Sequence, residues 1–185
     1  MARLMRINMS NRSIEVQDVP EKYSRLAGRG LTSTIVCDEV DPTCHPLGPN
    51  NKIVIAPGIV TGTAAPSSGR ISVGAKSPLT GGIKESNAGT PFGQTIARLG
   101  YKAIIIEGTP SDDKWRALHI THEKVEFIPA DDYAGRGLYD LFPSLHQKFG
   151  DKVNIMAAGP AVSPTIWGMP CCVHSSLSPR CTGDS

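Results

Sequence analysis

Short apolar or alternating runs, bounded by glycine and proline, dominate the middle of this chain and constrain its fold more than any other feature. Runs of this length and composition are typical of β-strands that are buried on one or both faces. Three runs show the pattern most clearly: KIVIAPG at 52–58, RISVGAK at 70–76 and AIII at 103–106. The sequence therefore predicts that strands form the centre of the domain.

Two pairs of alternating segments predict β-hairpins. Leu4–Met9 and Ser13–Val19 flank Ser-Asn-Arg, which has the turn chemistry of a short connection. Trp115–Thr121 and Val125–Pro129 flank His-Glu-Lys in the same way. Because a hairpin pairs its strands antiparallel, these segments argue against a wholly parallel sheet.

Helical patterns are fewer than strand patterns. Pro20 followed by EKYSRLAGRG predicts a short helix that ends near Gly28, and the following LTSTIVCDEV fits either a second helix or a strand. Apolar residues recur at helical spacing through 137–149, which predicts an amphipathic helix despite Pro143. VNIMAAG at 153–159 predicts a further strand. Together these elements indicate an α+β fold.

Composition excludes several classes of function. Nineteen basic and 17 acidic residues are mixed along 185 positions without long runs of one sign, which argues against nucleic acid as a partner. No apolar stretch approaches the roughly 20 residues needed to cross a bilayer, and the N-terminus lacks the apolar core of a signal peptide. The five cysteines, at 37, 44, 171, 172 and 181, form neither an even disulfide framework nor paired CxxC ligands. A cytoplasmic protein without a membrane segment is expected.

The segment from Pro66 to Gly93 concentrates glycine, proline and hydroxyl residues around one arginine and one asparagine. Glycines leave main-chain N–H groups open to a polar or anionic ligand. The guanidinium of Arg70 supplies a permanent charge and a planar fork of donors, although an isolated arginine here would simply begin an exposed strand. SNAGTPFG holds Asn87 and Gly89, which suit either an ordinary turn or close approach of a ligand.

Other polar residues of this stretch and one earlier motif carry weaker signals. Lys76, Ser77 and Thr80 are second choices as phosphate contacts. GRGLTS at 28–33 nearly matches a dinucleotide-binding fingerprint, but Ser33 stands where the final glycine belongs. A turn that ends a helix is the preferred interpretation of that motif, and a nucleotide-binding domain would require a parallel sheet.

Several of these segments occur in one collinear order that resembles the N-terminal domain of tungsten-containing aldehyde ferredoxin oxidoreductases. The segments are GRGL, APGIVTGTAAP, KSPLTGG, SNAG and GYKAIIIEG, and the resemblance covers about residues 1–160. It implies two β-sheets with a few helices that form the base of a tungsten- or molybdenum-bis-pterin cofactor. It also implies that Arg70, Asn87 and Gly89 bind this cofactor, that Asn87 lies beside a Mg²⁺ ion bridging the phosphates, and that no catalytic residue belongs to this domain.

The resemblance implies a reaction as well as a cofactor. Members of the family oxidise aldehydes to carboxylates and pass two electrons through a [4Fe–4S] cluster to ferredoxin. The C-x₂-C-x₃-C run that would hold such a cluster is absent here, as is the second pterin-contacting turn expected after residue 160. The chain is therefore expected to be inactive alone, to lack the C-terminal domains that are its first partners, and to be compatible with a homodimer.

The last segment, 161–185, differs in character from the rest. VSPTIWGMPCCVHSSLSPRCTGDS lacks strand periodicity and holds three of the five cysteines, so we expect an atypical tail outside the family domain. A reading-frame shift after Gly-Pro-Ala would explain it, and sequencing the DNA in the alternative frame tests this. A zinc site in CC-x-H-x₆-C is a weak alternative. A stand-alone, non-enzymatic domain that binds anions or a partner is the second hypothesis for the whole chain.

Overall fold

The computed structural model describes residues 2–157, which form eight strands and three helices. The strands are β1 Arg3–Asn8, β2 Ser13–Asp18, β3 Lys52–Pro57, β4 Arg70–Lys76, β5 Ile83–Gly89, β6 Tyr101–Glu107, β7 Arg116–Ile120 and β8 Val125–Pro129. The helices are α1 Gly28–Glu39, α2 Pro91–Arg98 and α3 Leu138–Phe149. No helix within this part of the chain is long and apolar enough to cross a membrane.

Six strands form a mixed sheet in the order β2-β1-β6-β3-β4-β5, and β7 and β8 form a separate two-stranded sheet. Strands β1 and β6 pair in parallel, whereas the other pairs of the large sheet are antiparallel. The α+β prediction with two sheets is therefore confirmed. Both predicted hairpins are present as well, as β1–β2 and β7–β8.

The large sheet is covered on both faces, which explains why its central strands are apolar without interruption. On one face α1 packs with Leu31 and Ile35 against residues of β1, β3 and β6 such as Val54. On the other face Ile96 of α2 packs against Ile104 of β6 and its neighbours. Side chains alternate between these two cores along each strand, as the strand geometry requires.

Four charged side chains link three neighbouring strands to the end of α1. Arg6 of β1 donates two hydrogen bonds, of 2.8 and 2.6 Å, to the carboxylate of Glu39. Lys52 of β3 bridges Glu39 at 2.9 Å and Glu107 of β6 at 2.7 Å. Burial disfavours the Glu39 carboxylate, but the hydrogen bonds from Arg6 and Lys52 outweigh that effect and lower its pKa to about 2. The network is neutral and fixes the C-terminal end of the helix over the sheet.

Three sequence expectations are wrong. The helix expected from Pro20 to Gly28 is a single 3₁₀ turn, Glu21–Tyr23, and GRG begins α1 instead of ending a helix. Gly28 tolerates its φ of +50° there, where a side chain would be strained. Within 153–157 the segment VNIMA forms no strand, and the rest of that expectation lies outside the described residues.

Two elements were not expected. SNAG lies in strand β5, which pairs with β4 over its full length although most of its residues are exposed. An exposed edge strand need not carry the alternating apolar pattern that identifies buried strands. Helix α2 has only eight residues, begins with Pro91 and contains Gly93, so it resembles a loop in sequence. The helix at 137–149 is confirmed as α3, with Pro143 inside it.

Glu39→Gln should lower the free energy of unfolding by about 2 kcal/mol at pH 7, between the values typical of exposed and of buried pairs. The substitution removes the carboxylate that neutralises Arg6 and Lys52 while it preserves side-chain shape. Chemical denaturation monitored by circular dichroism measures the loss. Glu15→Gln is the control, because Glu15 is exposed on β2 and has no ion pair with any residue in 2–157.

The stability difference between wild type and Glu39→Gln depends on pH, and the direction of the pKa shift of Glu39 sets its sign. Because the pKa of Glu39 is lower in the folded state than its ordinary value of 4.5, its stabilisation is complete above that value and is lost as the pH falls toward 2. The stability gap between wild type and Glu39→Gln should therefore close between about pH 4.5 and 2. A gap that persists unchanged at low pH would contradict the proposed network.

Gly74→Ala should destabilise the domain by about 1 to 3 kcal/mol, because a Cβ at this position would lie 2.7 Å from Cβ of the fully buried Thr32 on α1. Gly30→Ala is the matched control, since nothing lies within 4 Å of a Cβ there and alanine favours the helix. Thermal unfolding compares the two variants. Equal effects would show that the contact between α1 and β4 is looser than the structure indicates.

Candidate functional site

The three residues expected to bind a cofactor lie together at one end of the β4–β5 pair. Arg70 is paired in register with Gly89, and Ser72 is paired with Asn87. A Cβ on Gly89 would lie 3.7 Å from Nε of Arg70 and 3.8 Å from its Cζ, so the arginine side chain extends across the glycine. Arg70 thus lies at one edge of the sheet with two residues that are 17 and 19 positions further along the chain.

Asn87 is held by a neighbouring hydroxyl. Ser72 is buried, and its Oγ donates a hydrogen bond of 2.6 Å to Oδ1 of Asn87. Gly28, the first residue of α1, lies against that hydroxyl, since a Cβ on Gly28 would be 3.5 Å from it. A carbonyl oxygen has two lone pairs, so Oδ1 can still accept another hydrogen bond or bind a hard cation. Helix α1 therefore supports the asparagine through Ser72.

An ion pair that was not predicted lies on the same strand. Nε of Arg29, at the start of α1, is 2.5 Å from Oε2 of Glu85 on β5. The Glu85 side chain is only 10% exposed, and its other carboxylate oxygen has no hydrogen-bond partner within the described chain. The two residues are 56 positions apart, and no short motif in the sequence connects them. The pair fixes the exposed Arg29 close to the strand that carries Asn87.

A cavity of about 590 Å³ adjoins Arg70 and Gly89. Its wall continues along the segment before β4, the first two turns of α2 and one residue near the end of the described chain. The lining residues are Ser67, Gly69, Arg70, Gly89, Thr90, Pro91, Gln94, Thr95, Arg98 and Asn154. The lining contains two arginines and no carboxylate, so the cavity favours anions.

Two of the three second-choice phosphate contacts, Lys76 and Ser77, have structural roles. Nζ of Lys76 donates hydrogen bonds of 2.5 and 2.6 Å to the carbonyl oxygens of Pro42 and Cys44, and the residue is buried. Ser77 is buried too, and its Oγ accepts hydrogen bonds from the amides of Leu79 and Thr80. Both residues stabilise loops, and neither lines the cavity beside Arg70.

Metal-ligating groups are sparse in the described residues. Between positions 2 and 157 no group of three or more His, Cys, Asp or Glu side chains could hold a metal ion. Cys37 and Cys44 are free thiols, whereas the suggested zinc ligands Cys171, Cys172, His174 and Cys181 lie outside the described residues. Asn87 offers one hard oxygen, which suits Mg²⁺ only if phosphates or water supply the other ligands.

The nucleotide-binding interpretation of GRGLTS lacks its structural context. A dinucleotide fingerprint requires a strand that leads directly into the glycine turn. Here α1 follows a 3₁₀ turn at Glu21–Tyr23 and an irregular segment, and the sheet is mixed. The motif therefore serves to begin a helix close to Ser72.

Comparison with known proteins agrees with this fold. The model of the family described as "Aldehyde ferredoxin oxidoreductase, N-terminal domain" matches residues 4–168. The active-site complex BamBC of benzoyl coenzyme A reductase, solved with 1,5-dienoyl-CoA, superposes with a TM-score of 0.80 at 25% identity. That superposition covers 85% of this chain and 24% of the other. The fold and the family match thus define an N-terminal domain of an oxidoreductase.

The chain belongs to the aldehyde ferredoxin oxidoreductase family. It is 37% identical over 162 residues to the tungsten-containing aldehyde ferredoxin oxidoreductase of Pyrococcus furiosus and 35% identical to that of Thermococcus kodakarensis. Each alignment covers 86% of this chain and 26% of the relative. The chain therefore spans about a quarter of the length of the curated relatives that it matches.

Proposed function

We propose that this chain is the part of an aldehyde-oxidising enzyme that binds a tungsten- or molybdenum-bis-pterin cofactor. The observation that carries the proposal is the placement of Arg70 across Gly89, two residue pairs along the strands from Asn87, beside a cavity without carboxylates in its lining. These three residues are the positions to which the family resemblance assigns cofactor binding. Their meeting on one sheet edge depends on strand register and not on the resemblance.

Each residue has a distinct role in this proposal. Arg70 donates charged hydrogen bonds to a phosphate or to the edge of a pterin ring. Gly89 leaves the main chain open for close approach, since it has no side chain beneath the arginine. Asn87, oriented by Ser72, offers Oδ1 to a Mg²⁺ ion that bridges the phosphates.

The bound cofactor would supply the redox chemistry, the oxidation of an aldehyde to a carboxylate. The residues of this chain would bind and orient it, and none of them takes part in the electron transfer. We propose that the C-terminal domains of the enzyme supply the cluster ligands, the substrate channel and the contact with ferredoxin. In this proposal residues 1–160 form the cofactor base in the cytoplasm, and 161–185 form a tail outside it.

A second candidate is a stand-alone domain that binds anions without a metal cofactor. The two arginines of the cavity wall favour it, because cationic donors bind an anion without any metal. The two candidates differ in whether the ligand needs contacts from other domains. A pterin cofactor requires contacts from further domains, whereas a simple anion does not.

A chimera tests the proposed function in the setting of a whole enzyme. Residues 4–157 would replace the matching segment of the Pyrococcus furiosus relative, and tungsten and pterin per protein would be measured after gel filtration. We expect the chimera to retain both. Arg70→Ala should lower its cofactor affinity roughly tenfold or more, since hydrogen bonds from a charged donor are among the strongest in proteins.

Arg25→Ala is the control for that chimera. Arg25 is exposed, lies outside the cavity and has no ion pair within the described part of the chain, and its removal changes the net charge by the same amount. A folded Arg70→Ala chimera with undiminished tungsten and pterin would contradict the proposed role of Arg70. A chimera that folds but never holds pterin would favour the stand-alone anion-binding domain.

A further inference from the structure

We propose that Arg98 is a second anion-binding residue of the same site, and that the cavity holds a phosphorylated organic molecule between Arg70 and Arg98. This proposal rests on the proposed function, because it takes the Arg70 end of the cavity as the place where the cofactor binds. It adds a wall, formed by α2 and Asn154, that the sequence did not indicate.

Helix α2 brings Arg98 and Gln94 to the cavity together. The two residues are one turn apart on the same face of the helix, and Nη2 of Arg98 donates a hydrogen bond of 3.2 Å to Oε1 of Gln94. The other N–H groups of the guanidinium have no hydrogen bond within residues 2–157. Arg98 is thus oriented by a neutral partner that leaves its charge uncompensated.

The start of α2 is fixed to the segment that leads into Arg70. The amide of Thr90 donates a hydrogen bond of 2.6 Å to the carbonyl oxygen of Gly69. A Cβ on Gly69 would lie 3.1 Å from the carbonyl oxygen of Thr90, a tight contact that glycine avoids, and 3.4 Å from the side chain of Gln94. Both walls of the cavity are therefore held at a defined separation before any ligand binds.

Unlike four other arginines of the described chain, the two at the cavity have no carboxylate partner within it. Arg6, Arg12, Arg29 and Arg116 each lie within 4.0 Å of a carboxylate. In the same part of the chain Arg70 and Arg98 have no such partner, although they line one cavity. Two like charges beside one space repel each other in the absence of an anion, and a bound anion removes that repulsion.

Size and polar lining indicate the class of anion. A volume of about 590 Å³ lies in the range of sites for small organic ligands, roughly 300 to 1,000 Å³, and far exceeds one phosphate group. Nδ2 of Asn154 donates a hydrogen bond of 2.6 Å to Oγ1 of Thr95, which leaves the Asn154 carbonyl oxygen as an acceptor. A phosphate ester whose organic part carries N–H or O–H donors matches this arrangement.

Calorimetric titration of the 185-residue chain with two probes tests the proposal. The probes are inorganic phosphate and guanosine 5′-monophosphate, which carries a ring with amide and amino donors. We expect the nucleotide to bind at least about fivefold more tightly than phosphate. Arg98→Ala should weaken nucleotide binding about tenfold, Arg98→Lys less, and Arg25→Ala should leave it unchanged.

The outcomes separate this inference from the proposed function. Weaker binding in both Arg70→Ala and Arg98→Ala supports a site with two arginines. Unchanged binding in a folded Arg98→Ala variant overturns the role of Arg98, while cofactor retention in the chimera would still support the proposed function. Failure of both probes to bind wild type at millimolar concentration, or equal affinity for the two, overturns the proposed ligand class. Thermal unfolding of each variant confirms that folding is intact.

Discussion

Close approach of two helices to opposite faces of strand β4 is the constraint on which the candidate site depends. Gly74 lets Thr32 of α1 pack directly on one face, and Gly93 of α2 packs directly on Ile71 at the other. A side chain at either glycine would separate a helix from the sheet. The same packing places Gly28 of α1 beside Ser72 and places the cavity wall of α2 beside Arg70. Core packing and site geometry therefore both follow from these two contacts.

Charge is arranged differently in the interior and at the cavity. Around Glu39 two cations and two carboxylates are close to one another, so their charges cancel and the network stabilises the fold. At the cavity the arginines have no carboxylate partner in the described residues, and that arrangement costs stability unless an anion binds. Uncompensated charge on a rigid support is typical of binding sites, whereas compensated charge is typical of structural networks.

The elements that the sequence predicted are those whose pattern reflects burial. Strands β3, β4 and β6 carry apolar runs because both faces of the sheet are covered, and the hairpins alternate around recognisable turns. Strand β5 and helix α2 were missed because an exposed edge strand and an eight-residue helix containing glycine have little periodicity. Resemblance alone therefore proposed Arg70, Asn87 and Gly89, and nothing in the sequence pointed to Arg98 and Asn154, which line the same cavity as Arg70. Only strand register and the packing of α2 bring these residues together.

Rigid support has a consequence for the energetics of binding. Arg70, Asn87 and Gly89 lie on paired strands, and Arg98 lies on a helix packed against the same sheet, so little backbone has to be ordered when a ligand binds. Ordering of loops and side chains is a large part of the cost of association, and a preformed site avoids much of it. Further domains would then add contacts to a base that already has its geometry. In the proposed function the N-terminal domain would thus position the ligand, and the further domains would enclose it.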